Sequence, residues 1–582
     1  FFGCQPQLVK RIPGYDYTGL SKNEIKVHKK VEKFLQYASQ TEIPVKIFPG
    51  TRIDSVKVDE QAKTIHIYLN KSFSYIPFRE KNVRQVYELI TSLLGRKFKL
   101  FKVTIFSLET PIEELIPNFF RKQLLPLDKN RLPKPHLRPE PVVRPGEEWQ
   151  IRQGLFGRNI VLWNSHGWYF NNKVGRWEWQ RPRLFETVED LLPTAFVLPY
   201  LAPMLENAGA QVFLPRERDI QTNEVIVDND STPPSGRYYA ETVKDNLHFF
   251  QTGDDQGFAI GHPPYHSGQN PFQQGTYRFV LSDTAPSAFV QWSPVIPKTG
   301  YYAVYISYHR DSSAVTDADY TVRHLGGQSN FKVNQTIGGN TWIYLGTFKF
   351  RRGLHPDSGS VVLSNQSRQA GKLVTADAVR FGGGMGIIAR EGVTSSRPRF
   401  VEGARYYLQF AGMPDTLVYN LHADSNDYKD DYMSRPEYAN YLYGKPFGPN
   451  RNRQVEGLKI PIDLSLAFHT DAGITNNDST IGTLAIYSIL DADTQKVFPD
   501  GVSRLANRDF ADILQTQIVQ DIRAQFDSTW QRRALLNAQY SESFRPNMPA
   551  ALLELLSHQN FRDMQLALDP RFRFAVSRSI YK

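Results

Sequence analysis

One stretch constrains this chain more than any other. Ile462, Leu464, Leu466 and Phe468 step by two along a short apolar run, which gives way to His469, Thr470, Asp471, Ala472 and Gly473. A run of that period reads as a strand. Its end on an imidazole and small residues places His469 at the mouth of a sheet, where open α/β folds carry their sites. A second histidine has the same context far upstream: Ile160, Val161, Leu162 and Trp163 are strand-like, and Asn164, Ser165, His166 and Gly167 follow. Alone, either histidine reads as an ordinary structural or surface residue. Together they can converge on one metal, because neutral imidazole is a common zinc ligand. Acids fall into place around them. Glu186 and Glu189 precede a helix-like segment, and Glu554 interrupts the apolar run Ala550, Ala551, Leu552, Leu553, Leu555. A carboxylate left unpaired in such a run is costly, so Glu554 is expected at a strand end or facing a charged site.

The order of these motifs carries a resemblance. Ser165-His166-Gly167 is followed by Glu189-Asp190-Leu191 before a helix ending Glu206-Asn207-Ala208-Gly209-Ala210, and then by Val212-Phe213-Leu214-Pro215-Arg216-Glu217-Arg218-Asp219. With Phe468-His469-Thr470-Asp471-Ala472 and Pro549 to Leu555, this resembles the zinc-dependent N-acetylmuramoyl-L-alanine amidases over about 149–230 and 390–582. The resemblance implies an open sheet flanked by helices and a Zn2+ cofactor held by His166, Glu189 and His469. Glu186 is the alternative third ligand, because the spacing is off by one residue. It also implies Glu554 as the catalytic proton carrier. The substrate would be peptidoglycan, cut at the amide between the muramic acid lactyl group and L-alanine. Asp471 reads either as a residue orienting a ligand or as a strand-end cap.

The remaining chain is organised around that sheet. At 582 residues it is too long for one core, so several domains are expected. Residues 1–30 read as a tether. Cys4, the single cysteine, follows Gly3 in an apolar start and resembles the acylated position of a bacterial lipoprotein; no intramolecular disulfide is possible. This sets an expectation of a periplasmic, membrane-anchored envelope protein. The formal charge of +10 suits anionic surroundings, but no block of Lys and Arg reads as a nucleic-acid site. No apolar run is long enough to span a membrane.

Residues 31–122 read as a small α/β domain. Thr64 to Leu69 alternates as a half-buried strand, and Val83, Val86, Leu89, Ile90, Leu93 and Leu94 trace a helical face closed by Gly95. The pattern resembles small domains of spore-germination and sporulation envelope proteins. Residues 123–148, with six prolines among charges, read as a stiff linker. The first catalytic part spans 149–230. Its helix after Leu191 should be kinked or short, because Pro199 and Pro203 interrupt it. Residues 231–388 change to short alternating runs between turns, which reads as an inserted all-β sandwich. Its ending, Val374-Thr375-Ala376-Asp377-Ala378-Val379-Arg380-Phe381, resembles golvesin-like domains and implies contact with a further polysaccharide. The second catalytic part is 389–582. Within it, the acids around Asp424, Asp427, Asp430 and Asp431 read as a solvated loop. Phe510, Leu514, Ile518, Ile522, Phe526 and Trp530 mark one long helical face. Two other classes stay open: a polysaccharide-binding or lyase-like envelope protein, and a catalytically inactive envelope scaffold.

Overall fold

A computed structural model describes residues 15–121, 125–134, 139–144, 154–230, 238–445 and 454–582. Cys4 lies outside the described residues, so the anchor expectation has no structural counterpart. The protein is mixed α/β and divides into two compact units, residues 1–135 with 467–544 and 549–582, and residues 136–466 with 545–548. Among the described residues no helix is long and apolar enough to cross a membrane.

In the first unit, strands Ile53–Asp59, Thr64–Leu69, Lys102–Ser107 and Thr110–Pro111 form a sheet in that order. Helices Lys22–Thr41 and Glu80–Leu94 accompany it. The alternation read from Thr64 to Leu69 is the observed one, with Ile65, Ile67 and Leu69 buried. Gly95 caps the second helix at φ 77°, a backbone region that glycine enters without penalty. The first helix begins at Lys22, behind a Ser21–Glu24 capping box. The last residues assigned to the tether are therefore ordered parts of this domain. The domain is fixed to the long helix Leu505–Gln525 by buried charge. Arg79 donates to both oxygens of Asp512 at 2.8 Å, and Arg131 pairs with Asp509 at 3.0 Å. That helix buries Leu514, Ile518 and Ile522 as its periodicity predicts, and Trp530 is buried just beyond it.

Arg131 also corrects the linker reading. It is buried and donates to the carbonyl of Ile116. Further along the same stretch, Val142–Val143 adds a short strand to a sheet of the second unit, pairing with Lys332 and Val333. The segment lacks a core of its own, but it is docked on others.

The second unit contains the sandwich. One sheet runs Val225–Val227, Val379–Phe381, Gly300–Ile306, Ile343–Phe350. Another runs Tyr238–Val243, Ala288–Ser293, Ser360–Ser364, Ala318–His324, Gly327–Val333, Val142–Val143. Trp292, Tyr302, Tyr320, Phe350 and Phe381 share its core. The boundary at 231 is late: Val225–Val227 pairs antiparallel with Val379–Phe381 and belongs to the sandwich. The preceding residues are wired to it by a buried ion pair. Arg380 donates to Glu217 at 2.5 Å, with both side chains fully buried, and the hydroxyl of Tyr305 donates to the same carboxylate. At the sandwich edge two more carboxylates are buried. Asp377 accepts from the Ser307 hydroxyl at 2.7 Å and from the amide of Phe258. Asp228 follows the Val225–Val227 strand.

The acidic stretch after 420 is a second correction. Asp427, Asp430 and Asp431 are buried on helix Asp427–Tyr443. Arg390 holds Asp427 at 2.8 Å, His422 holds Asp430 at 2.7 Å, and Arg405 lies beside both acids. Buried acids persist when cations meet them, and here the cations come from distant parts of the sequence.

Strands Arg532–Asn537, Thr483–Tyr487 and Ala550–Ser557 lie side by side in the first unit, and Asn159–Asn164 and Gln211–Phe213 pair in the second; Leu464–Asp471 carries His469. Thr483–Tyr487 runs parallel to Arg532–Asn537 and antiparallel to Ala550–Ser557, and Asn159–Asn164 is parallel to Gln211–Phe213.

Candidate metal centre

His166 owes its position to a break in its strand. Asn159–Asn164 is buried throughout, and Ser165 then takes φ 59°, the left-handed region that a non-glycine residue enters only under local constraint. Gly167 is required next. A Cβ there would stand 2.5 Å from the backbone of Glu402 and Gly403. Two buried arginines hold this turn by its carbonyls. Arg216 donates to Asn164 O at 2.7 Å, and Arg435 donates to Ser165 O at 3.0 Å. Arg216 also reaches Asp190 O at 3.3 Å, so one guanidinium ties the His166 turn to the Glu189 segment.

Glu189 is buried. Its Oε1 accepts from the Ser165 hydroxyl at 3.0 Å and lies 3.5 Å from Nε2 of His166; its Oε2 pairs with Arg181 at 3.2 Å. Arg181 keeps its charge firmly, because the facing carboxylates of Glu189 and Asp190 outweigh its burial. Burial, then the Glu189 charge, pushes the neighbouring Asp190 up to about 7, against two backbone amides that favour its ionised form. Glu186 has gone elsewhere. Its side chain is 92 % exposed and pairs with Arg183 at 2.6 Å.

His469 is the sixth residue of Leu464–Asp471, so the strand continues two residues past it instead of stopping there. Its Nε2 stands 3.0 Å from Oε1 of Glu542, a buried residue of the short helical turn Ser541–Phe544. Asp471 does not orient it; that carboxylate pairs with Arg533 at 2.7 Å. Glu554 lies in the middle of Ala550–Ser557, opposite Leu484 in the neighbouring strand, and is half-buried rather than at a strand end.

Among the described residues, His166 and Glu189 stand 3.5 Å apart, Nε2 to Oε1, in the second unit, and His469 is buried in the first. Two imidazoles and a carboxylate are a donor set that zinc accepts. Donors ~2.1 Å from a tetrahedral ion stand ~3.4 Å apart, close to the observed His166–Glu189 spacing. His166 and Glu189 therefore fit such an ion with little closure. Sequence reasoning named His166, Glu189 and His469 as ligands, with Glu186 as the alternative to Glu189. It missed Arg181, Arg435 and Glu542, none of which lies in a periodic run, and it noted Arg216 only as part of a motif.

The aromatic hairpin beside this site packs inward for the most part. Strands Trp168–Asn171 and Arg176–Trp179 bring Trp168 edge-on to Trp179, with centroids 4.7 Å apart, and Trp177 Nε1 donates to Val393 O at 3.0 Å. The predicted kink is present as well. Thr194–Phe196 passes into a π turn, Val197–Leu201, before Ala202–Asn207, where Pro199 and Pro203 remove backbone donors.

Residues 264–383 match the family described as Golvesin C-terminal domain, inside the span read as an insertion. A comparison with curated protein sequences finds no match. Among solved structures, the chain is similar to a Paenibacillus xanthan lyase at 23 % identity, covering 30 % of this chain and 13 % of that one, with a TM-score of 0.21. It is similar to an N-acetylmuramoyl-L-alanine amidase of Nostoc punctiforme at 15 % identity, covering 21 % and 54 %, with a TM-score of 0.15. It is also similar to a family 35 carbohydrate binding module from Clostridium thermocellum at 13 % identity, covering 28 % and 98 %, with a TM-score of 0.17. The chain thus spans about an eighth of the lyase and about half of the amidase.

Proposed function

We propose that the protein is a zinc-dependent peptidoglycan amidase that cleaves the bond between the lactyl group of N-acetylmuramic acid and L-alanine. The observation that carries this reading is the buried pair of His166 and Glu189, with Nε2 and Oε1 3.5 Å apart where a strand ends. His166, Glu189 and His469 would hold the ion and leave one position open, as catalytic zinc sites do. Bound there, zinc would polarise the scissile carbonyl and make water acidic enough to attack near neutral pH. Ser165 and Arg181 keep the Glu189 carboxylate aimed. Glu554 takes a proton from the attacking water and delivers it to the leaving nitrogen. The water oxygen bonds to the carbonyl carbon, the carbon–nitrogen bond breaks, and the products are a lactyl carboxylate and a free L-alanine amino end.

The golvesin match favours a second, concurrent role, in which the sandwich binds a polysaccharide and keeps the hydrolase on the bacterial envelope. Digestion of purified peptidoglycan by the wild type and by Glu554→Gln tests the catalytic reading. The wild type should release L-alanine amino ends. The variant, which keeps shape but cannot accept the proton, should be slower by ~10²–10⁴-fold with its zinc content unchanged. Near-normal turnover would remove Glu554 from the reaction, and loss of zinc would make it a ligand instead.

A further inference from the structure

We propose that Glu542 is a positioning residue for His469, fixing its ring and its tautomer so that Nδ1 is the nitrogen offered to the metal. The proposal rests on the metal reading of the site above. The contact is direct: Oε1 of Glu542 and Nε2 of His469 are 3.0 Å apart. Both side chains are buried, Glu542 being 8 % and His469 3 % exposed, so bulk water competes little for either.

The turn that carries Glu542 is itself fixed. The hydroxyl of its neighbour Ser543 donates to Ala538 O at 2.7 Å, and its amide bonds Tyr540 O at 2.9 Å. A neutral imidazole has one N–H and one lone pair, and a carboxylate oxygen accepts. The hydrogen at this contact therefore belongs to Nε2, and the lone pair is left on Nδ1. A metal-binding histidine commonly donates its other N–H to a carboxylate or carbonyl, which orients the ring and raises its basicity. Glu542 supplies that partner here.

Three measurements on the full chain test this. In the metal-free protein labelled with 15N-histidine, His469 should carry its proton on Nε2, and Glu542→Ala should abolish that preference. In chelator competition, Glu542→Ala should bind zinc ~10–100-fold more weakly than wild type, and Glu542→Gln, which still accepts through its amide oxygen, should recover most of the loss. The cobalt-substituted variants should keep the wild-type coordination number in their absorption spectra. Unchanged tautomer and affinity in Glu542→Ala would overturn the proposal. A change of coordination number would overturn it too, by making Glu542 a ligand. A wild type that binds no zinc would fail the reading of the site and the metal half of this proposal; the 15N tautomer then decides separately whether Glu542 fixes the ring.

Discussion

Two regions bury carboxylates and answer them differently. At the candidate metal centre, Glu189 is met by a hydroxyl, an imidazole and a guanidinium, and Glu542 by a ring nitrogen. At the sandwich edge, Asp228 and Asp377 are also nearly inaccessible, but the groups that meet them are backbone amides and, for Asp377, the Ser307 hydroxyl. Burial and the neighbouring acid raise Asp228, and burial above all raises Asp377. A charge taken out of water is either compensated or discharged by a proton. The first region keeps charged and nitrogen groups poised to bind; the second is driven toward neutrality. Burial of acids therefore does not mark a functional site. The nitrogen donors around them make the difference.

The largest test of that contrast is at the metal centre. Glu189→Ala should lose stoichiometric zinc, whereas Glu186→Ala, which removes an exposed surface pair, should keep it. Metal analysis of the two dialysed proteins decides between them, and equal zinc in both would dissolve the distinction drawn here.

Next comes Glu217, a compensated acid of the second unit. Glu217→Ala leaves the buried Arg380 with only the more distant Glu224, at 3.5 Å, and should cost ~3–5 kcal/mol in denaturant unfolding. A loss below ~1 kcal/mol would show that the pair adds little beyond its hydrophobic surroundings.

The third effect is expected at Asp228, with the opposite sign. Burial, then the charge of Asp377, holds its folded pKa above the ordinary carboxylate range, so the protonated form favours the fold. Its contribution is fully present below pH ~4 and declines as pH rises toward the folded value, by at most ~1.4 kcal/mol per pH unit for one proton. Asp228→Asn should flatten this decline. Hydrogen exchange of Val225–Val227 and Val379–Phe381 at pH 5 and pH 8 would measure it, and equal protection in the wild type at both values would refute the assignment.

The sequence makes some of this legible and hides the rest for physical reasons. Period-two runs placed His166 and His469, because side-chain alternation is a local property of a strand. Pro199 and Pro203 announced the distorted helix, because a missing N–H acts within one turn. Neither histidine run could reveal Glu542, which sits in a four-residue turn without periodicity. The acids from Asp424 to Asp431 looked solvated because Arg390 and Arg405, which compensate them, arrive by tertiary folding. Val142 and Val143 are too few to show a pattern, and their pairing comes from Lys332 and Val333. The domain edge was misread for the same reason: Val225–Val227 is a three-residue strand whose partner lies about 150 residues away.

That last pairing bears on how the chain can be assembled. A flexible excursion of such length between two halves of one domain would have to be closed against chain entropy, a cost that grows with the logarithm of loop length. Here the excursion closes on itself. Once Val225–Val227 zips onto Val379–Phe381, the departing and returning chains lie side by side, separated by one hydrogen-bonded ladder. The sandwich's own folding free energy offsets the closure, and the flanking sequence on either side is then joined as if by a hairpin. A segment that looks like an interruption in the written chain becomes, in the order of folding events, a short and stiff connection.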